Sequence, residues 1–217
     1  MSGLLTKDFR LLIQRKESFI LFIVMAAFMG YAMDGTFVVG YLTLLGATLG
    51  IGTLSYDEMD NGLPFIMSWP VTRKTYVGEK FLFSFLTAFV AWVLGAVTYV
   101  VISMVKNNPI DFIHELPGVL VYLPVILLIL SIMLPVELKF GPEKSRIILI
   151  VVFGAIGAGL VFASGIVGAG ENKISQLAAL LNNYHPVMII GIMIAVCLAV
   201  CLISLLLTIK IVERKEF

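Results

Sequence analysis

Residues 81–105 read FLFSFLTAFVAWVLGAVTYVVISMV, 25 consecutive positions without a charged side chain. A helix of that length crosses the hydrocarbon layer of a bilayer, which needs roughly 20 apolar residues. The run is continuously apolar rather than alternating, so it does not read as an outer-membrane strand. Five further stretches have the same character: 19–33, 36–56, 117–136, 147–170 and 186–211. The first is the shortest, and Lys16 and Glu17 can extend it by snorkelling to the interface. The expectation is an all-α polytopic membrane protein of six transmembrane helices, folded as a single transmembrane domain over 1–217. With 60% hydrophobic and 13% charged residues, the chain has more apolar surface than a soluble core of this length could bury. No small-residue cleavage pattern follows the first span, which is therefore expected to be retained.

Orientation follows from the distribution of Lys and Arg. Thirteen fall before span one, after spans two and four, or after the last span, against Lys106 and Lys173 alone on the other side. The positive-inside rule then places both termini, and the segment 57–80, in the cytoplasm. A net charge of +1 gives no reason to expect a nucleic-acid partner. Ahead of the first span, Leu5, Phe9, Leu12 and Ile13 share one helical side while Thr6, Arg10 and Gln14 share the other. Residues 1–17 thus read as an interfacial helix on the cytoplasmic leaflet, its basic residues towards anionic headgroups.

Between spans two and three lies a polar island, YDEMDNGLPFIMSWPVTRKTYVGEK over 56–80, with seven of the chain's 29 charged residues. Gly62 is expected to end a turn with positive φ, and Pro70 to stop or start a short helix. The apolar side chains Phe65, Ile66, Met67 and Trp69 then form a face able to enter a groove on another protein. Arg73, Lys74 and Lys80 suit the same partner or lipid phosphates.

Small residues mark helix packing. Gly46 and Gly50 form a GxxxG in the second span, and Gly154, Gly157 and Gly159 stand among further glycines and alanines in the fifth; both patterns allow close backbone approach, within the bundle or between two copies. Cys197 and Cys201, four apart on one helix, read as small apolar packing residues, since a disulfide at that spacing within one helix is geometrically poor. Residues 175–183 read as a short helix on the outer surface.

Several chemistries are missing. Within the membrane interior the six spans so drawn contain no Asp, Glu, Lys, Arg or His, Lys210 standing at the cytoplasmic end of the last, whereas ion-coupled carriers place such groups near mid-bilayer. No P-loop, HExxH or GxSxG occurs, and His114 and His185 stand alone in outer loops, so no catalytic or metal constellation is legible. A membrane protein without an energy source of its own and with a cytosolic docking patch points to a second protein that supplies the energy.

The island residues Tyr56-Asp57-Glu58, Asp60-Asn61-Gly62, Phe65, Ser68 to Lys74, Tyr76-Val77 and Glu79-Lys80 resemble the signature of the ABC-2 type permeases, the small six-span membrane subunits of bacterial ATP-driven exporters. The opening Gly3 to Phe9 is similar to the start of that family, and the topology agrees over the whole length. Trp69 stands where Leu is commoner, and Pro64 interrupts the segment that would carry the docking helix. The resemblance implies a non-catalytic subunit of the plasma membrane that binds no cofactor itself, with ATP and Mg on two copies of a partner ATPase. It implies a second permease subunit, identical or not, and ATPase coupling through Asp57, Glu58, Asn61, Gly62, Phe65, Trp69, Pro70, Arg73 and Lys74. The uncharged spans suggest a hydrophobic or amphipathic cargo, such as a peptide, moved outward. The alternative is an oligomeric membrane scaffold or channel-like protein that works without an ATPase.

Overall fold

A computed structural model of the chain describes residues 2–14, 16–32, 35–58, 62–68, 71–106, 112–167 and 186–214. All seven elements in them are helices: α1 (Ser2–Gln14), α2 (Lys16–Ala32), α3 (Gly35–Glu58), α4 (Gly62–Met67), α5 (Arg73–Val105), α6 (Phe112–Val167) and α7 (Pro186–Glu213). Four helical stretches are long and apolar enough to cross a membrane, namely Thr36–Glu58, Arg73–Val105, Glu115–Ile148 and Gly191–Glu213; Ile20–Ala32 is apolar but shorter. The expected outer helix at 175–183 lies outside the described residues.

The largest difference from the sequence reading is α6. Spans expected at 117–136 and 147–170 with a connection between them run as one 56-residue element, broken only at Gly141, whose φ of 80° and ψ of 168° are non-helical. Only glycine adopts that conformation freely, and Pro142 has no N–H to continue the ladder, so a single Gly-Pro step turns one helix into the next without a loop.

The bundle is organised around α3, which packs along α5 on one side and α6 on the other. Its core joins Leu4 of α1, Ile51 and Leu54 of α3, Leu63 and Ile66 of α4, Tyr76 and Phe81 of α5, Leu130 and Leu134 of α6, and Val212 of α7. Large apolar side chains point outward along α2, α5 and α7, among them Phe28, Val97 and Leu206, as helices facing hydrocarbon require. Pro135 supplies no N–H to the Ser131 carbonyl one turn back. That carbonyl accepts from Ser204 Oγ of α7. Cys201 Sγ lies 3.0 Å from Ser131 Oγ, and Cys197 and Cys201 are both free, buried thiols.

Glycine makes the α3–α5 seam possible. A Cβ at Gly46 would overlap Ala91 and stand 2.8 Å from the Thr87 carbonyl oxygen, and one at Gly50 would stand 2.8 Å from Ser84 Cα. Gly52, by contrast, has no atom within 4 Å of where its Cβ would be. Gly154 likewise has no described atom within 4 Å of that position, so no helix contact is found there among the described residues. Gly157 and Gly159 are helical, and their packing lies outside the described residues.

Gly50→Leu drives a side chain into the α5 backbone and is expected to cost about 1 to 3 kcal/mol, while Gly52→Leu stays within about 0.5 kcal/mol of the parent. Thermal unfolding in detergent, read side by side, checks the contrast; equal midpoints would mean that α3 and α5 do not touch there.

Candidate functional site

Where α1, α3 and α5 converge, five charged side chains gather: Asp8, Asp57, Glu79 and Lys80 are buried and Lys7 is half-buried. Lys80 is 0% exposed and reaches Asp8 Oδ2 at 2.5 Å and Asp57 Oδ2 at 2.7 Å. Its ammonium also donates to Thr53 Oγ1 at 3.3 Å and lies 5.6 Å from the Tyr76 ring centre. Tyr76 donates its hydroxyl to Asp57 Oδ2 at 3.1 Å, and Asp57 Oδ1 accepts from Lys7. Lys7 is 3.2 Å from Asp8 Oδ1. Burial pulls the Lys7 ammonium down, but the hydrogen bond and charge of Asp57, with the charge of Asp8, outweigh it and hold its pKa above the ordinary value.

Local structure explains the convergence. Tyr76 and Lys80 are one helical turn apart on α5, as Thr53 and Asp57 are on α3, so each pair presents one face to the other. Thr72 caps α5, accepting from the Thr75 amide at 3.2 Å, which sets where that face begins. The cluster counts three carboxylates against two ammoniums. Glu79 is the surplus: it is fully buried, neither oxygen has a hydrogen-bond partner among the described residues, and Lys80 is 4.0 Å away.

The cluster fastens the island to the bundle. Gly62 opens α4, and a Cβ there would stand 2.8 Å from the Asp57 carbonyl oxygen. Gly62 does not take the positive φ expected of it, since Gly141 alone among the described glycines does so; close approach is what it provides. Pro64 falls in the first turn of α4, where no helical N–H is needed. Leu63 and Ile66 turn into the core, whereas Phe65 is 64% exposed. Ile66 is thus an inward anchor rather than part of an outer face, because a six-residue helix with Leu63 and Ile66 three apart buries that side. Ser68 closes α4, its amide donating to the Pro64 and Phe65 carbonyls at 3.1 Å.

The remaining sequence candidates separate. Arg73 Nη1 donates to the Glu213 and Val212 carbonyls at 2.6 and 3.3 Å, capping the C-terminus of α7. Lys74 makes an exposed 3.5 Å pair with Glu213. The Glu58 carboxylate stands against the α6 bend, 2.8 Å from where a Gly141 Cβ would be. Asn61, Trp69 and Pro70 lie outside the described residues.

Sequence reading missed Asp8, Lys7 and Thr53 as partners of Asp57 and Lys80. The expectation that the basic residues of the first helix face headgroups fails for Lys7, which turns to Asp57. It also missed Glu137, buried on α6 and accepting from Ser55 Oγ at 3.0 Å. Spans drawn as 81–105 and 117–136 stop one residue short of Lys80 and Glu137, so the uncharged interior was a product of the boundaries.

A family model described as ABC-2 family transporter protein matches residues 3–213. No curated protein and no solved structure matches the chain.

Replacing Lys80 with Met leaves Asp8 and Asp57 buried without their shared cation, at an expected cost of about 3 to 5 kcal/mol. Lys74→Met, at an exposed pair, should cost no more than about 1 kcal/mol. Glu79→Gln removes the uncompensated charge and is expected to leave the unfolding midpoint unchanged or raise it. Detergent melts of the three variants check the ranking; a Lys80→Met midpoint equal to that of Lys74→Met would mean the cluster does not hold α1, α3 and α5 together.

Proposed function

The chain belongs to the ABC-2 family of transporter proteins, whose membrane subunits work with ABC ATPases, and from that premise we propose that it is the permease subunit of an exporter. In this reading two copies of an ATPase bind a pair of permease subunits in a bacterial plasma membrane, with six spans per chain and both termini cytoplasmic. ATP and Mg reside on the partner. The cargo is hydrophobic or amphipathic, a peptide being one such molecule. Membership in a transporter family favours this over the scaffold alternative.

The observation that carries the reading is the geometry of α4. Phe65 faces outward while Leu63, two residues before it, and Ile66, one after it, are in the core. Gly62 packs on the Asp57 carbonyl, and Asp57 binds Lys80. A partner that moves Phe65 therefore moves the junction of α1, α3 and α5 as a body, because α4 is too short to bend and its inner face is fixed. Closure of the ATPases would shift α2, α3 and the second half of α6 between inward- and outward-open packings, the discrete rearrangement that packed helices permit.

Phe65→Asp places a charge in a groove desolvated by the partner, at a cost of several kcal/mol. The variant should insert and melt as the parent does, yet lose the ATPase on affinity purification in mild detergent; Arg73→Gln should lose less. Undiminished ATPase recovery with Phe65→Asp would remove α4 as the coupling surface. In a background lacking Cys197 and Cys201, a cysteine at Lys106 should react with a membrane-impermeant thiol reagent added outside, and one at Ser68 should not; labelling of Ser68 would invert the orientation.

A further inference from the structure

One turn before the charge cluster, on another face of α3, a cavity of about 190 Å³ opens between α3 and the bend of α6. Its polar lining is Thr48 and Ser55 from α3 and Glu137, Ser145 and Arg146 from α6, with Gly52 and Met133 among the apolar walls. Glu137 is 5% exposed. A carboxylate held that far from solvent is costly unless its lone pairs are occupied. Here one oxygen accepts from Ser55 at 3.0 Å, and no further donor to the group is found among the described residues.

The hydroxyls around it cannot supply one. Thr48 Oγ1 donates to the Leu45 carbonyl at 2.8 Å, Ser145 Oγ to the Pro142 carbonyl at 3.1 Å, and Ser55 Oγ to Glu137 itself. Each hydroxyl has a single hydrogen, so all three oxygens offer the cavity lone pairs only. Apart from the Arg146 guanidinium, the wall is therefore rich in acceptors and poor in donors. Arg146, the one cation of the lining, is exposed.

We propose that this cavity is a subsite for a primary ammonium group, held by the Glu137 carboxylate and by the hydroxyl oxygens of Thr48, Ser55 and Ser145. An ammonium brings three donors and no acceptor, which complements such a wall; an anion would find Arg146 as its one donor, beside lone pairs and the Glu137 carboxylate. At about 30 Å³ of liquid volume per water, the space takes a charged head with a few carbons, while any longer apolar remainder of the molecule lies outside it. The inference rests on the permease reading for its meaning, since it assigns the cargo to amphipathic amines.

The test uses the full chain in nanodiscs of zwitterionic lipid, with monodansylcadaverine, whose free end is a primary ammonium, as the fluorescent probe. Binding should be displaced by dodecylamine and not by dodecanol or dodecanoate. Glu137→Gln, which keeps an acceptor oxygen for Ser55, should weaken binding tenfold or more, as should Gly52→Leu, which adds bulk at an open position of the lining. Glu143→Gln, an exposed carboxylate next to the bend, should bind as the parent does. Equal binding by Glu137→Gln, or displacement by dodecanoate as effective as by dodecylamine, overturns the proposal. Should Glu137→Gln fail to fold, Gly52→Leu decides it, with unweakened binding overturning the proposal. ATPase co-purification is read separately, so loss of the amine subsite leaves the permease reading standing, and loss of the ATPase leaves the amine result interpretable.

Discussion

The fold hangs on a buried ammonium. Lys80 has lost all contact with solvent, and a lone ion in such a place would cost several kcal/mol. Its carboxylate partners come from two other helices, Asp8 of α1 and Asp57 of α3. The three helices cannot slide independently without stranding a charge. Hydrophobic packing, which is non-directional, would tolerate several registers of α3 against α5; the ion cluster and the glycines at 46 and 50 admit one.

From that junction the rest follows by short connections. Asp57 is next to the end of α3, so α4 is anchored within a few residues of the cluster, and its two inward side chains leave Phe65 as the outward contact. Arg73, at the other end of the island, caps α7, so the start of α5 is fastened to the last helix as well as to the first. The island is thereby tied to the bundle at both ends.

Much of this was legible in the chain. The apolar runs, the polar island, the basic asymmetry and the resemblance of the island to ABC-2 permeases all depend on residues near one another in sequence, and the family match over 3–213 agrees with them. Asp57, Gly62 and Phe65 were named from the island alone. What failed were statements about the edges of elements and about orientation. Glu137 and Lys80 lie just past the apolar runs and so fall outside the spans drawn, because hydropathy falls at the first charge whether or not a partner helix covers it. Gly62 was given a turn conformation when its constraint is a neighbour 2.8 Å away. The sequence reading ends one span at 136 and starts the next at 147 because the residues between are charged, whereas in the structure the break occupies a single position, Gly141.

The sequence by itself determined that this is a multi-pass helical membrane protein of a transporter family with a polar island between two apolar runs, because length, hydropathy and a local motif are properties of neighbouring residues. Only the tertiary structure decided that Asp8, 72 positions from Lys80, is its counter-ion, that Ile66 points inward while Phe65 points out, and that Glu137 meets Ser55 across 82 positions at the wall of a donor-poor cavity. Such pairings are fixed by how helices cross and how closely their glycines let them approach. No single stretch of chain encodes them, since the energy of a buried charge depends on what stands opposite it in space.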